Sequence, residues 1–201
     1  AASDVYKRQC PGGATLFFSQ YQEASSGNHK YFQIYNPTSA AIDLASGYSI
    51  ASCSSGCNND GVFEYAASFQ SGATIAAGGT YTVCHPRLGN TAGCDDASRY
   101  GYHVFFSGDD FLALVRGTGS ANSFGASDIV DQIGLFSSTD PGFRWSVCGS
   151  GSGMETRNGR LARAPGTCCG DSSGAAFQEV FSGSCPWTRT PDGLAIVSWA
   201  S

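Results

Sequence analysis

The sequence predicts an all-β sandwich, and three observations carry that prediction. Several short segments alternate apolar and polar residues with a period of two, and they are rich in aromatic and β-branched side chains. Glycine is abundant, with 27 in 201 residues, which suits tight turns between strands. Charged residues make up only 13 % of the chain, so helices with a charged face are not indicated.

The clearest strand pattern lies at residues 31–50. It begins with Phe32 and Ile34 on one face and tyrosine or glutamine side chains on the other. A turn containing Pro37 ends this strand, because proline has no N–H for the ladder. A short apolar edge at 42–44 and another alternating strand follow. Eight side chains of shared parity are therefore predicted to lie between two sheets: Phe32, Ile34, Leu44, Ile50, Val83, Leu112, Leu114 and Ile133.

The same pattern recurs along the chain and gives about ten short strands. The predicted strands are 14–21, 31–35, 48–50, 62–69, 80–85, 102–106, 111–116, 128–135, 177–181 and 194–199, with short extended segments at 42–44 and 73–76. Residues 107–110 are expected to form a hairpin loop between two of them. Residues 137–165 are rich in Gly, Ser and Arg, with Trp145 as the one large anchor, and no strand is predicted there. No helix is predicted.

The first nine residues, AASDVYKRQ, are charged and lack the pattern of the rest. We expect residues 1–9 to be a leader derived from adapter or cloning sequence, outside the fold. Residues 10–201 are expected to form a single domain, since no linker interrupts them.

Composition excludes several function classes. The net charge is −5 and the chain has only two lysines, Lys7 and Lys30, whereas nucleic-acid binding needs clustered cations. No apolar run is long enough to cross a membrane. We therefore expect neither a nucleic-acid partner nor membrane insertion.

Nine cysteines indicate an oxidising compartment and disulfides. Excluding Cys10, beside the suspected leader, leaves an even number of disulfide candidates: Cys53, Cys57, Cys84, Cys94, Cys148, Cys168, Cys169 and Cys185. Two local pairs are expected, Cys53 with Cys57 and Cys84 with Cys94. Adjacent cysteines rarely bond to each other, so Cys168 and Cys169 are expected to pair with Cys148 and Cys185 in either order. Cys10 would then be free or bonded elsewhere.

Four segments follow one another along the chain: LFFSQYQE, YFQIYNPTSAAIDLASGYSI, FQSGATIAAGGTYTVC, and FFSGDDFLALVRG followed by DIVDQIG, DPGFRW and TRNGRLAR. Together they resemble the lamin tail domain family. The order matches that of the family and covers roughly residues 15–187. The resemblance implies an immunoglobulin-like β-sandwich and a non-catalytic module, found in nuclear filament proteins and beside hydrolases in secreted bacterial proteins. The chain departs from the family at Gln33, where Glu is common, and in its many cysteines, which indicate an extracellular branch.

Candidate metal sites have plainer interpretations. Asp109, Asp110, Asp128 and Asp131 offer carboxylates for calcium, but their spacing matches no calcium loop, and roles in a turn or as acceptors of backbone donors are favoured. The Cys94-Asp95-Asp96 segment is a second calcium candidate, which we interpret as solvated. Zinc is a further candidate, with Cys53, Cys57, Cys84, His85 and Cys94 as its ligands. Disulfide formation explains the same cysteines better than zinc binding does. No metal and no cofactor is predicted.

Other side chains are candidates for catalysis, anion binding or sugar binding, and each has a plainer alternative. Cys84 and His85 are neighbours in a strand and point to opposite faces, and no Ser lies on a G-x-S-x-G elbow. The basic cluster of Arg144, Arg157, Arg160 and Arg163 suits an anionic polysaccharide or a solvated loop. Trp145, Trp187 and Trp199 suit sugar stacking or, more commonly in a sandwich, the core.

The sequence thus predicts a secreted, disulfide-stapled, immunoglobulin-like β-sandwich without enzymatic activity. Its expected function is a structural or interaction module of an extracellular matrix, wall or cell surface, with other extracellular proteins or polysaccharide as partners. The alternative is a carbohydrate-binding module that accompanies a fused secreted hydrolase. An enzyme is the third hypothesis.

Overall fold

The computed structural model describes residues 10, 12–25, 28–57, 60–88, 90–97, 104–136, 139–178, 180–191 and 196. The suspected leader at 1–9, residues 102–103 of one predicted strand, and the predicted strand 194–199 with Trp199, apart from residue 196, lie outside this part. Within it, no helix has the length and apolar character that a membrane crossing requires.

The described chain is built from short strands. They are β1 (Phe17–Glu23), β2 (Lys30–Tyr35), β3 (Ile42–Asp43), β4 (Tyr48–Cys53), β5 (Tyr65–Ser68), β6 (Thr74–Ile75), β7 (Thr80–Cys84), β8 (Phe111–Arg116), β9 (Ile129–Ile133), β10 (Ser146–Val147), β11 (Met154–Glu155), β12 (Gly159–Arg163) and β13 (Trp187–Pro191). One helical turn, α1 (Leu44–Gly47), separates β3 from β4, and Asp43 caps it by accepting the Ser46 N–H at 3.2 Å.

Two antiparallel sheets form the sandwich. The first sheet has the order β13-β12-β1-β2-β7, and the second has the order β5-β4-β8-β9. Two smaller pairs, β3 with β6 and β10 with β11, lie outside these sheets. Since the strands are short and antiparallel and the sheets face each other across a shared core, the fold is the predicted all-β, immunoglobulin-like β-sandwich.

The core between the sheets confirms the parity argument. All eight predicted side chains are buried and belong to one apolar cluster: Phe32, Ile34, Leu44, Ile50, Val83, Leu112, Leu114 and Ile133. Register explains their meeting, because Ile50 pairs with Leu114 and Leu112 pairs with Ile133 across the second sheet. A second apolar cluster, which includes Phe63 and Phe111, covers the other face of this sheet.

The opposite face of the first sheet is polar and nevertheless buried. Gln33 lies at its centre and accepts hydrogen bonds from Ser19 at 3.0 Å and Gln20 at 3.2 Å. Its amide donates to Thr82 at 3.0 Å, and the Tyr31 hydroxyl donates to Gln20 at 2.9 Å. The family departure at Gln33 therefore places an uncharged side chain that both donates and accepts in this buried network.

Several predicted elements are wrong. The described residues of 177–181, which are 177, 178, 180 and 181, are not in a strand: a 3-10 turn spans Ala175–Phe177, and Val180 is 84 % exposed. Residues 104–106 are not a strand either, and β8 pairs instead with β4 and β9, so the prediction of a hairpin loop at 107–110 is wrong. The segment 137–165, for which no strand is predicted, contains β10, β11 and β12. The prediction that no helix forms is corrected by α1 and by four 3-10 turns in the described residues.

We expect Leu114→Ala to lower the free energy of unfolding by ~2–5 kcal/mol, because the side chain is fully buried and its loss leaves a cavity. Urea denaturation measures this loss. Val180→Ala, at an exposed apolar position, is the control and should change stability by less than about 0.5 kcal/mol. Equal effects of the two substitutions would contradict the assignment of Leu114 to the core.

Candidate functional site: a three-cysteine cluster beside a buried ion pair

A buried ion pair joins the two sheets at one end of the core. Asp131 in β9 and Arg163 in β12 face each other, with 2.5 Å between a carboxylate oxygen and the guanidinium nitrogen Nη2. Both side chains are buried. Asp131 lies on the core-facing side of β9, the same side as Ile133. Arg163 lies on the core-facing side of β12, the same side as Leu161.

Backbone groups complete the partners of this pair. The Asp131 carboxylate accepts the N–H of Phe18 and the N–H of Asp171, each at 2.7 Å. Arg163 donates through Nε to the Phe18 carbonyl at 3.3 Å, and its guanidinium lies 4.0 Å from the centre of the Trp187 ring. Burial raises the pKa of Asp131, while Arg163 and the two N–H groups oppose that shift.

Three cysteines lie next to this pair. Asp171 belongs to the loop that carries Cys168 and Cys169, and Cys10 lies against both cysteines, with Cα–Cα distances of 6.3 and 5.9 Å. The Cys10 sulfur is within bonding distance of each neighbour. The three sulfurs all lie within 4.8 Å of one another. Among the described residues, these three side chains are the His, Cys, Asp or Glu group whose ligand atoms lie close enough together to hold one metal ion.

Backbone hydrogen bonds hold the N-terminal segment against this loop. The Thr15 N–H donates to the Cys168 carbonyl at 3.2 Å, and the Gly170 N–H donates to the Thr15 hydroxyl at 3.1 Å. Gly170 itself allows close approach, because a Cβ there would lie 2.3 Å from the Val130 carbonyl oxygen of β9. The cluster therefore has a fixed position beside the edge of the second sheet.

The other six cysteines form three disulfides. The structure joins Cys53 to Cys57, Cys84 to Cys94, and Cys148 to Cys185. The expected pairing of Cys168 and Cys169 with Cys148 and Cys185 is wrong, because Cys148 and Cys185 bond to each other. The expectation that Cys10 stands apart is also wrong, since it lies beside Cys168 and Cys169.

The candidate calcium carboxylates serve the fold instead of converging. Asp110 accepts the backbone N–H groups of Ser55 at 2.8 Å and Ser107 at 2.6 Å, which ties the turn at residues 107–110 to the Cys53–Cys57 loop. Burial raises the pKa of Asp110. Asp109 accepts the Ser55 hydroxyl at 3.4 Å, and Asp128 accepts the Gly125 N–H at 2.8 Å.

The segment after Cys94 is not simply solvated, which corrects the expectation. The Asp95 carboxylate accepts the Thr82 N–H at 2.7 Å, and the Asp96 carbonyl accepts the Cys84 N–H at 2.8 Å. The Thr82 carbonyl in turn accepts the N–H groups of Asp95 and Asp96. Residues 95 and 96 thus line the outer edge of β7.

Cys84 and His85 do not form a catalytic pair. The Cys84 sulfur is bonded to Cys94, and His85 Nδ1 accepts the Arg87 N–H at 3.0 Å. Burial, helped by Lys30 and Arg87, lowers the pKa of His85, so its neutral form is favoured. The zinc hypothesis for these cysteines fails for the same reason, because their sulfurs are in disulfides.

The arginine cluster does not form one basic surface. Arg163 is buried in its ion pair, while Arg144 pairs with Glu155. Arg157 lies over the ring of Phe143, which is 72 % exposed. Arg160 hydrogen-bonds the Tyr31 side chain.

The tryptophans in the described part are core residues. Trp145 is buried and donates through Nε1 to the Asp110 carbonyl at 3.0 Å. Trp187 is buried against Arg163. Neither is available to stack on a sugar at the surface.

A separate cavity of about 210 Å³ lies between β4, β5 and residues 105–110. Phe105, which is 49 % exposed, and Tyr65 supply its aromatic wall. Ser52 also lines it, and the buried Ser52 hydroxyl has no hydrogen-bond partner among the described residues.

Comparison with known proteins identifies the family. The model of the Lamin Tail Domain matches residues 10–137, more than half of the chain. This chain belongs to the lamin tail domain family. Curated proteins and solved structures give no match. The lamin tail domain match spans β1 to β9, so it contains Cys10 and Asp131 but ends before Arg163, Cys168 and Cys169.

Sequence reasoning missed the three-cysteine cluster and the ion pair for different reasons. Cys10 was set aside because of its neighbours, although an odd number of cysteines leaves one unassigned in any pairing. The structure confirms Asp131 as an acceptor of backbone donors, whereas the predicted arginine cluster gives no indication that Arg163 pairs with Asp131. Arg163 lies two residues after Leu161, and this spacing puts both side chains on one face of a strand. That spacing is the signal in the sequence that could have placed Arg163 in the core.

We expect Asp131→Asn to lower the free energy of unfolding by ~3–5 kcal/mol, because Arg163 would remain buried without its counter-charge. Urea denaturation monitored by tryptophan fluorescence measures the loss. Asp140→Asn is the matched control: Asp140 is exposed and accepts the Gly142 N–H at 2.7 Å, a bond that an amide oxygen also accepts. The control should change stability by less than about 0.5 kcal/mol, and similar losses for both variants would contradict the role of Asp131.

Proposed function

We infer that this lamin tail domain is a non-catalytic structural or interaction module of an extracellular assembly, such as a matrix, wall or cell surface. Lamin tail domains are immunoglobulin-like domains without catalytic activity. The observation that carries the extracellular assignment is that all nine cysteines lie at disulfide distance from another cysteine in a chain that already has a continuous apolar core. Such bonds persist in oxidising compartments.

The side chains that are candidates for metal binding or catalysis support a structural role. Asp110, Asp131 and Asp95 accept backbone N–H groups, and Cys84 is in a disulfide. A nucleophile or a general base needs a side chain that reaches a substrate, whereas these groups are occupied by the fold. We therefore expect proteins or polysaccharides as binding partners and no reaction.

The extracellular assignment predicts that secreted protein depends on its disulfides. Replacing both Cys148 and Cys185 by Ser should lower the free energy of unfolding by ~2–4 kcal/mol, because this bridge spans 37 residues of the chain. Denaturation of the two secreted proteins gives the difference, and non-reducing peptide mapping should recover the Cys53–Cys57, Cys84–Cys94 and Cys148–Cys185 bridges. Protein made in a reducing cytosol with nine thiols and unchanged stability would contradict the assignment.

The cavity between β4, β5 and residues 105–110 favours a second function, a carbohydrate-binding module that accompanies a secreted hydrolase. Sugar rings have apolar faces and hydroxyl groups. They therefore bind well where an exposed aromatic ring lies beside a hydroxyl that has no hydrogen-bond partner among the described residues.

A glycan array with the purified chain tests this second function. Selective binding of one class of glycan, lost in Phe105→Ser and kept in Phe143→Ser, would support it, because only Phe105 lines the cavity while both rings are exposed. Absence of selective binding, or equal loss in both variants, would leave the structural module as the function.

A further inference from the structure

We propose that the cavity between β4, β5 and residues 105–110 binds a hexosamine unit with a free amino group, as part of an amino polysaccharide. The inference rests on the second proposed function, because it names the class of sugar that the carbohydrate-binding module would recognise. It starts from the charge of the cavity. Among the described residues that line the cavity, Asp110 is the charged one, and that set contains no lysine or arginine. An acidic site attracts an ammonium group and repels the carboxylate or sulfate of an anionic sugar.

The Asp110 carboxylate is held in place and can still accept a hydrogen bond. Ser55 donates its N–H to Oδ1 at 2.8 Å, and Ser107 donates its N–H and its hydroxyl to Oδ2 at 2.6 and 3.3 Å. A carboxylate oxygen has about two acceptor positions, so Oδ1 retains one with respect to the described residues. Burial raises the pKa of this carboxyl, so the protein compensates its charge incompletely. An ammonium group in the cavity supplies the missing counter-charge.

The charges around the cavity keep it negative. The Glu64 carboxylate accepts the N–H of Ser54, a lining residue, at 2.8 Å. Lys30 donates to the carbonyl of Phe106, another lining residue, at 2.7 Å. The Lys30 charge is balanced, because its Nζ lies 3.6 Å from the Glu23 carboxylate. A cationic sugar therefore gains electrostatic attraction at this cavity.

The aromatic wall of the cavity suits a sugar ring. Phe105 is 49 % exposed, and His85 holds it from one side with 4.4 Å between the ring centres. Phe106 is buried and stacked on Tyr21 at 4.7 Å, and Tyr65 of β5 also lines the cavity. The C–H face of a pyranose packs on such rings, and an ammonium group over an aromatic face gains cation–π attraction. The volume of about 210 Å³ is below the ~300–1,000 Å³ of sites for drug-sized ligands, so it suits a single ring of a polymer.

Ser52 distinguishes an amino sugar from a simple amine. Its side chain is buried in β4, and its Oγ has no hydrogen-bond partner among the described residues. Ser52 and Asp110 line the same cavity. The Ser52 hydroxyl can donate to a sugar hydroxyl while the carboxylate holds the ammonium group. A lysine side chain offers donors only, so the Ser52 O–H would remain without an acceptor.

The test titrates the secreted chain with three oligosaccharides of equal length in a calorimeter. They are a glucosamine oligomer with free amino groups, the same oligomer after N-acetylation, and a galacturonic acid oligomer. We expect the free-amine oligomer to bind at least about tenfold more tightly than its acetylated form, because acetylation removes the charge that Asp110 attracts. The acidic oligomer should not bind. This comparison uses the wild-type chain and depends on no variant.

Substitutions locate the binding. Asp110→Asn should weaken binding of the free-amine oligomer by about 10- to 100-fold. Ser52→Ala should weaken it by about 2- to 10-fold, and it decides the matter if Asp110→Asn does not fold, because the Ser52 hydroxyl has no bond to lose among the described residues. Asp140→Asn is the matched control: it removes an exposed carboxylate that does not line the cavity, and it should leave the affinity unchanged.

The outcomes separate this inference from the function on which it rests. The amino-sugar site would be overturned by equal or tighter binding of the acetylated oligomer, by wild-type affinity in Ser52→Ala, or by equally tight binding of a lysine oligomer of the same charge. Selective binding of a neutral glycan, lost in Phe105→Ser, would overturn the site while supporting the carbohydrate-binding function. Absence of binding to any glycan would overturn both.

Discussion

The Asp131 carboxylate is the charge on which the joining of the two sheets depends. Its burial is costly in isolation, and the cost is offset because Arg163 and two backbone N–H groups all converge on it. These partners come from β1, from β12 and from the loop after β12. Phe18 in β1 lies more than a hundred positions from Asp131 along the chain. A pair of apolar side chains would fill the same volume, but it would leave the N–H groups of Phe18 and Asp171 without acceptors.

The sulfur bonds and this ion pair act on the same region. The long-range bridges all involve residues 148–185, where β10 and β11 have only two residues each. Short strands bury little apolar surface, so covalent links there restrict the unfolded chain where packing contributes least. The two local bridges instead brace loops beside β4 and β7. Cross-linking and packing are thus distributed in a complementary way along the chain.

The fold was predictable where alternation was apolar and the partners were close in sequence. The alternation at Phe32 and Ile34 is enough to predict their strand. The short spacing of the local cysteine pairs is enough to predict that they form disulfides. The sequence does not predict β12, because the core-facing side of this strand carries Arg163. A charged side chain is assigned to the surface as long as its counter-charge is unknown. Residues 177–181 misled in the opposite sense, since Val180 is apolar but exposed. What sequence could not supply was long-range pairing, which decides whether a charge is buried or solvated.

The position of Asp95 and Asp96 along β7 has a consequence for solubility. β7 is the last strand of the first sheet, and an open strand edge offers N–H and carbonyl groups to any other extended chain. Here the N–H groups of Thr82 and Cys84 and the Thr82 carbonyl are already hydrogen-bonded to this segment, which the Cys84–Cys94 bridge holds in place. The cross-link therefore closes one side of the sheet to strand addition, so that crowded neighbours cannot extend it into a fibril at this edge.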